Sequence, residues 1–503
     1  MSTKSTLIRP LALQTARALE RQARRAIPDQ EKIWRKLIKK GRATAFGKIH
    51  RFEDIRGYVQ YLRQVPVREY EAMRPYVERI IAGEKDVLWP GRPQYFAKTS
   101  GTTSGVKYIP ITKDSLPNHF GSARKALFNY YARTGKGAFL DGKVLFLSGS
   151  PKLEQKGGIP TGRLSGIANH LVPAWLRANQ LPSYQTNCIE DWEAKVDAIV
   201  SETLGQDLRL ISGIPPWVQM YYERLLERSG KKTVLEVFPN LHIFVHGGVN
   251  FEPYRSVLEN LVGGPIDSLE TYPASEGFIA FQDIPGEEGL LLNTCSGIFY
   301  EFIPVEETRR FKGKKGRHYN VPRIPLGLVK TGRDYAIVIS SNAGLWSYLL
   351  GDTVRFVSLN PYRLIVTGRI KHFISAFGEH VIGKEVEQAL DFALKQVPAK
   401  VVEFTVAPQI QPPEGGAPYH EWFIAFEQQP EDLKAFTKYL NEEMCRQNIY
   451  YRDLIKGKVL QTPKVRPLPK DAFRKYMQSL GKLGGQNKVP RLSNDRKIVE
   501  KLE

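Results

Sequence analysis

Five short stretches carry residue types suited to handling phosphates and a carboxylate. The densest lies between Tyr95 and Ile111, where Lys98-Thr99-Ser100-Gly101-Thr102-Thr103-Ser104-Gly105-Val106-Lys107 joins two strand-like runs. Small residues let a backbone approach a ligand, and successive N–H groups with hydroxyls form a nest for phosphate oxygens. The spacing excludes a Walker A loop: three residues separate Gly101 from Gly105, Lys107 is displaced by one, and Tyr108–Ile111 reads as strand, not helix. A plain hairpin turn needs only about two to five residues and no such density of hydroxyls.

The second stretch, Thr271-Tyr272-Pro273-Ala274-Ser275-Glu276-Gly277, follows an apolar run that begins at Ser268. It places Glu276 at the end of a central strand, where a carboxylate can hold Mg²⁺ bridging nucleotide phosphates. Alone, it reads equally as a helix start or a solvated acid. The third, Tyr348-Leu349-Leu350-Gly351-Asp352, sets an acid beside a turn glycine, suited to accepting both hydroxyls of a ribose; alone it is also a β-turn. The fourth runs from Thr367 through Arg369 and Lys371 to Glu379, at a change of composition, where a cation at a hinge can touch a nucleotide and report a domain movement. The fifth, Gly484 to Arg491, offers Lys488 to a reacting carboxylate or phosphate; in isolation it reads as a solvated basic tail.

The elements that must position these groups follow from periodicity. From about residue 95, short β-branched or aromatic runs (Val144–Leu147, Leu208–Ile211, His242–His246, Ser268–Tyr272) alternate with helical patterns, which predicts α/β layers. Closely spaced strands after Leu290 predict a β-barrel or meander joined to them. After Arg369 the pattern becomes a helix over Gly383–Gln396, strands at Lys400–Ala407 and Tyr419–Glu427, a helix over Glu431–Arg446, a strand and a last helix: a small α+β domain. The expected division is 1–368 and 369–503. His242 and His246 share one strand face, but with no visible third ligand they read as structural or substrate-pocket residues.

Composition sets the limits. A chain of 503 residues, 42% apolar and 25% charged, with 7 Trp, 23 Tyr and 24 Phe, is a folded protein of about three folding units. Its three cysteines, Cys188, Cys295 and Cys445, exclude a disulfide scaffold and a zinc ribbon and fit a reducing compartment. No run approaches the roughly 18 apolar residues of a membrane span, and the N-terminus lacks a signal-type apolar core, so the expected location is cytoplasmic. Net charge is +21, and residues 1–51 hold 14 Lys or Arg against Glu20, Asp29 and Glu31. There, Ile8, Leu11, Leu19, Ala23 and Ile27, then Ile33, Trp34, Leu37 and Ile38, predict two amphipathic helices broken near Pro28. The favoured reading docks their apolar stripe on the body; the alternatives are membrane-surface attachment or nucleic-acid binding.

Taken in order, the five stretches resemble the acyl-acid amido synthetase family, the plant hormone-conjugating enzymes and their bacterial relatives, within the adenylate-forming superfamily of acyl-CoA synthetases and firefly luciferase. Thr44–Lys48, Val65–Tyr70, Val87–Gly91 and Leu140–Lys143 also look like family segments. The resemblance implies a large N-terminal adenylate-forming domain of α/β layers plus β-barrel, and a smaller mobile C-terminal α+β domain. It implies that Thr99, Ser100, Gly101, Thr102, Thr103, Ser104 and Lys107 hold phosphates, that Gly247, Gly248 and Tyr272 border the adenine, and that Ser275 also contacts the nucleotide. Glu276 would bind Mg²⁺, Asp352 and Arg369 the ribose, and Lys371 would be the pivot. Lys488 would serve adenylation, with Lys482 as the alternative.

The implied activity uses ATP and Mg²⁺ to adenylate a small carboxylic acid, then transfers the acyl group to an amino acid or other amine. Phe120, Arg124, Gly213 and Trp217 are the candidate acyl-pocket residues. An acid–CoA ligase working through the same adenylate is one alternative; a nucleic-acid or membrane-binding protein with a vestigial nucleotide site is another. The expected partners are the two small substrates, with no nucleic acid, peripheral membrane contact through residues 1–51 kept open, and a monomer or dimer.

Overall fold

The computed structural model describes residues 3–502 apart from 100–105, 173–176, 190, 249–250, 312–320, 371–372, 375–380, 410–411, 457–459, 482–488 and 494–495. It divides into two compact units. One comprises Met1–Phe251, Leu258–Leu350 and Val354–Ile365, the other Glu252–Val257, Gly351–Thr353 and Val366–Glu503.

The first unit opens with helices α1 (Thr3–Arg24) and α2 (Ala26–Gly41). The break falls at Arg25 and not near Pro28, because Pro28 sits in the first turn of α2, where its missing N–H forfeits no helical hydrogen bond. The apolar stripe is shifted too. Ala12, Ala16 and Leu19 are buried, whereas Leu11 and Ile27 are 49% and 41% exposed. Small residues let α1 lie close against helix α3 (Ser122–Thr134), where Ala12 and Leu19 join Ala126, Tyr130 and Tyr131, and the Tyr131 hydroxyl donates to Ser5 O at 3.0 Å. On α2, Trp34, Leu37 and Ile38 enter the main core, and the buried Gln30 amide bonds Thr294 O, Ile298 O and Tyr300 N, all at 2.8 Å. The basic segment is therefore docked along one face.

Strands β1 (Tyr95–Thr99) and β2 (Lys107–Ile111) form an antiparallel hairpin, with Thr99 opposite Lys107. Strand β3 (Lys143–Phe146) belongs to a twelve-stranded sheet, while β4 (Ile159–Gly162), which leads into helix α4 (Leu164–Leu171), runs parallel to β1 in a smaller one. In the large sheet β3 is followed by β5 (Leu208–Ser212), β6 (Ile243–Gly247) and β7 (Asp267–Ala274), all parallel. Their carboxyl ends consequently share one edge, the usual place for ligands in such sheets.

The polarity then changes. Strand β8 (Gly277–Phe281) turns straight back on β7, and β9 (Leu290–Leu292), β10 (Ile298–Pro304), β11 (Asp334–Ser341), β12 (Tyr348–Leu359) and β13 (Tyr362–Arg369) continue the same sheet. The expected barrel or meander is built directly onto the large sheet, in the order β7-β8-β9-β13-β12-β11-β10, because a two-residue turn after β7 delivers the next strand antiparallel to an existing edge.

A buried ion pair organises these strands. Glu301 on β10 and Arg323 are 0% and 2% exposed, with Nε and Oε1 2.6 Å apart. The same carboxylate oxygen accepts from the Tyr58 hydroxyl at 2.7 Å, and Arg323 Nη2 donates to Val65 O at 2.7 Å and Ser347 Oγ at 3.1 Å. Tyr61 completes the set through Ser340 Oγ and Ser347 Oγ. Burial pulls the Arg323 pKa down, but the Glu301 carboxylate together with Tyr61 and Tyr58 outweighs it and the pKa ends raised. The network fixes Ser347 in a left-handed backbone (φ 46°), while Arg68 N bonds Ser347 O at 3.0 Å and Leu349 N bonds Arg68 O at 2.9 Å.

In the second unit, helix α5 (Gly383–Gln396) has the predicted bounds, and Glu385 reaches back to Ile382 N at 2.9 Å as its cap. Strands β14 (Lys400–Gln409) and β15 (Tyr419–Gln428) are antiparallel, and β16 (Lys464–Leu468) joins β15 in parallel. Helices α6 (Leu433–Gln447) and α7 (Ala472–Ser479) follow the predicted pattern. Phe404, Trp422, Phe436 and Leu390 form the core.

Removing one partner of a buried ion pair strands the other charge. Arg323→Ala is expected to cost about 3–5 kcal/mol in urea unfolding; a loss below about 1 kcal/mol would mean that water reaches Glu301.

Candidate functional site

The hydroxyl-rich loop hangs from the closing pair Thr99 and Lys107, as a hairpin and not a strand–helix turn. Tyr70 supports it: its hydroxyl accepts from Tyr108 N at 2.8 Å, and Lys107 Nζ lies 5.9 Å from its ring. Ser100, Gly101, Thr102, Thr103 and Ser104 lie outside the described residues.

Glu276 occupies, with Ser275, the tip of the two-residue turn between β7 and β8, so the helix-start reading is replaced by a hairpin tip. Two features hold the tip. The buried Asn118 clamps the strand beyond it, accepting from Phe278 N at 2.7 Å and donating to Phe278 O at 3.3 Å and Ser296 Oγ at 2.8 Å. Tyr348, at the head of β12, donates its hydroxyl to Glu276 Oε1 at 3.2 Å. Tyr348 follows Ser347 directly, so the Glu301–Arg323 network reaches Glu276 through one residue. Sequence reasoning missed this contact, since nothing in the spacing pairs residues so far apart.

Gly247 ends β6 opposite Thr271, and a Cβ there would fall 2.2 Å from Thr271 O, so close sheet packing alone requires glycine. Gly248 needs glycine for its backbone, φ 81°. Tyr272 is buried, 7% exposed, among the main core residues. The candidate acyl-pocket residues are spread. Gly213 and Trp217 follow the carboxyl end of β5, Trp217 buried, and a Cβ at Gly213 would lie 3.1 Å from both Leu147 and Val218. Phe120 is half-buried against the core, and Arg124 is exposed on α3. His246 is buried and stacked on Phe251 at 4.3 Å, and His242 Nδ1 lies 3.1 Å from Asn240 O. Among the described residues no group of three or more His, Cys, Asp and Glu could hold a metal.

The two sheets of the first unit approach at their carboxyl ends. The Arg163 side chain, just after β4, lies over Gly149, just after β3, where a Cβ would fall 2.7 Å from its Cδ. The edge that leads into Thr99 therefore lies beside the edge that carries the strand ends.

In the second unit, Asp352 is 8% exposed on β12, and Ile370 N bonds Gly351 O at 2.8 Å. Thr353 and Thr367 share a hydroxyl contact at 3.0 Å. Arg369 ends β13, with its side chain outside the described ones, and Lys371, Lys482 and Lys488 are outside altogether. The end of the last stretch is no loose tail: Thr405 Oγ1 donates to Pro490 O at 2.7 Å, Val406 N to Arg491 O at 2.9 Å, and Arg491, 14% exposed, pairs with Glu403 and with Glu387 at 3.4 Å.

Solved structures identify the fold class. A GH3.15 acyl acid amido synthetase superposes with a TM-score of 0.79 at 16% identity over 97% of this chain and 95% of that one. A 2-hydroxyisobutyryl-CoA ligase in its postadenylation state, bound to 2-HIB-AMP, gives 0.54 at 12% identity over 97% and 90%. The chain shares the fold of these two enzymes.

Within that class, residues 15–171 and 163–266 match the GH3 family N-terminal domain, 291–369 the GH3 family central domain and 384–497 the GH3 family C-terminal domain. The chain belongs to the GH3 family. Curated relatives are a jasmonoyl–L-amino acid synthetase of Oryza sativa subsp. japonica, 24% identical over 86% of both chains, and one of Nicotiana attenuata, 21% identical over 65% of this chain and 66% of the relative. An indole-3-acetic acid-amido synthetase of Arabidopsis thaliana is 23% identical over 64% and 66%.

Because the Gly247 Cβ position is filled by backbone, Gly247→Ala is expected to destabilise the first unit by about 1–3 kcal/mol, as overpacking does. Thermal unfolding unchanged from wild type would place β6 farther from β7 than described.

Proposed function

We propose that the chain is an ATP-dependent acyl-acid amido synthetase, which adenylates a small carboxylic acid and passes the acyl group to the amine of an amino acid. The observation that carries this is the match of all three GH3 domains, in order, along one chain. A carboxylate has no leaving group, so its oxygen attacks the α-phosphorus of ATP and pyrophosphate departs. The amine nitrogen then attacks the acyl carbon, AMP leaves, and the amine gives up a proton. Neither step needs a protein nucleophile; positioning and charge stabilisation do the work.

The N–H groups and hydroxyls of Thr99–Ser104, with Lys107, hold the phosphates. Asp352 and Arg369 hold the ribose, Gly247, Gly248 and Tyr272 border the base, and Ser275 contacts the nucleotide. Phe120, Arg124, Gly213 and Trp217 remain candidates for the acyl pocket. A lone carboxylate at a hairpin tip suits Mg²⁺, which takes most of its ligands from phosphates and water; when bound, the ion offsets charge on the phosphate oxygens. Tyr348 holds the Glu276 carboxylate in place for it. Lys488 serves adenylation, and a swing about Lys371 withdraws it before the amine enters. Loss of such a charge-stabilising group costs roughly 10²–10³ in rate.

The test supplies ATP, Mg²⁺, a panel of carboxylic acids and a panel of amino acids. Amide and AMP are expected in equal amounts. Thioester with coenzyme A, and no amide with any amine, would make the chain an acid–CoA ligase.

Asp352→Ala is expected to weaken ATP binding roughly tenfold in protein that still folds, as loss of a hydrogen-bonded charged group does. Equal ATP affinity in the folded variant would remove Asp352 from the ribose site.

A further inference from the structure

Among the described residues, the surroundings of Arg163 contain a second cation and unsatisfied polar atoms, and no acid pairs with it. Strand β4 runs parallel to β1, with Phe96 opposite Thr161 and Ala97 opposite Gly162. Both strands therefore run off at the same end, β1 into the phosphate hairpin and β4 into Arg163. The Arg163 side chain is half-buried, and among the described residues it has no acidic partner and no hydrogen bond. Burial alone accounts for its lowered pKa. A guanidinium in that position costs free energy unless something fills its donors.

Its neighbours add to the charge. Lys195, 2% exposed, donates to Ser148 O at 2.9 Å and Asn187 O at 2.8 Å. Burial pulls the Lys195 ammonium down to about 8, and the nearby Arg163 charge adds to it. Two atoms in the same region lack partners among the described residues: Ser165 Oγ, in the first turn of α4, and Oδ1 of Asn187, a residue 1% exposed. Asn187 Nδ2 meanwhile donates to Ser148 Oγ at 3.2 Å. No side chain caps α4, and Gly166 packs so closely that a Cβ would fall 2.6 Å from Ser150 O.

The geometry points to a carboxylate site here, formed by Arg163 and Ser165 beside the phosphate hairpin, which receives the free carboxylate of the amino-acid acceptor. This rests on the amido-synthetase reading and deepens it. The planar fork of an arginine matches both oxygens of a carboxylate, and a serine hydroxyl can donate to either. An α-amino acid carries its carboxylate one carbon from the attacking amine, so a cation beside the reaction edge can hold the one while the other attacks. The phosphates already have Thr99–Lys107, which leaves this second cationic position for another anion.

The experiment separates the two half-reactions. With an acid that supports turnover, the full-length protein is assayed for acid-dependent pyrophosphate exchange and for amide formation from an amino acid and from the same amino acid as its carboxamide. Arg163→Ala is expected to raise the acceptor KM roughly ten- to hundredfold, the worth of a hydrogen bond to a charged group. It should also erase the preference for free amino acid over carboxamide and leave exchange within about threefold of wild type. Arg163→Lys should restore part of the preference, and Ser165→Ala should raise the acceptor KM severalfold.

An unchanged preference in Arg163→Ala would overturn the proposal, as would a rise in the KM for pyrophosphate, which would make that the bound anion. If Arg163→Ala does not fold, the other two variants carry the test, and an unaltered acceptor KM in both overturns it. Failure of the underlying reading looks different: wild-type protein would show exchange but form no amide with any amino acid.

Discussion

The contact between Glu301 and Arg323 is the constraint on which the catalytic edge depends. Buried charges are costly unless they are paired and hydrogen-bonded, and here Tyr58 shares Glu301 Oε1 with Arg323 while Val65 and Ser347 accept from the guanidinium, leaving Glu301 Oε2 without a partner among the described residues. The pair joins three distant parts of the chain: the segment around Tyr58–Arg68, the strand carrying Glu301 and the turn before Tyr348. Because Ser347 is held in a left-handed backbone, Tyr348 leaves the turn in a fixed direction, and its hydroxyl meets Glu276. A carboxylate at a hairpin tip would otherwise be free to choose among rotamers. Folding energy in these strands thus goes into orienting one acid.

Much of this was legible in the sequence because the relevant signals are local. Alternation located β3, β5, β6 and β7, and a 3.6-residue period with a capping Glu385 set the bounds of Gly383–Gln396. The hairpin from Tyr95 to Ile111 followed from two strand-like runs and a loop too rich in hydroxyls for a simple turn. What stayed hidden was non-local. No spacing links Tyr348 to Glu276, Glu301 to Arg323, or Arg163 to Gly149, since each pair meets only after the sheets assemble. Strand length and spacing likewise do not say which strands pair: β9 lies between β8 and β13 and not beside β10.

One difference has a simple physical cause. Pro28 suggests a break in the basic helices, but in a first turn it removes nothing, and the bend lies at Arg25. At Gly247, contact with Thr271 O by itself demands glycine; close strand packing and ligand approach leave the same mark in a sequence. The basic N-terminus, strong enough to suggest nucleic acid or lipid, proves to dock through Ala12, Ala16, Leu19, Trp34 and Leu37, with most of its cations on the other side. Its charge describes an exposed face, and its small apolar residues describe the docked one.

Acyl activation before any acceptor arrives is the central claim of this account, and isotope exchange tests it most directly. Labelled pyrophosphate should pass into ATP when a single class of carboxylic acid, aryl, indole or aliphatic, is added with Mg²⁺ and no amine. Absence of exchange with every acid, from protein that binds ATP, would contradict adenylation as the first step.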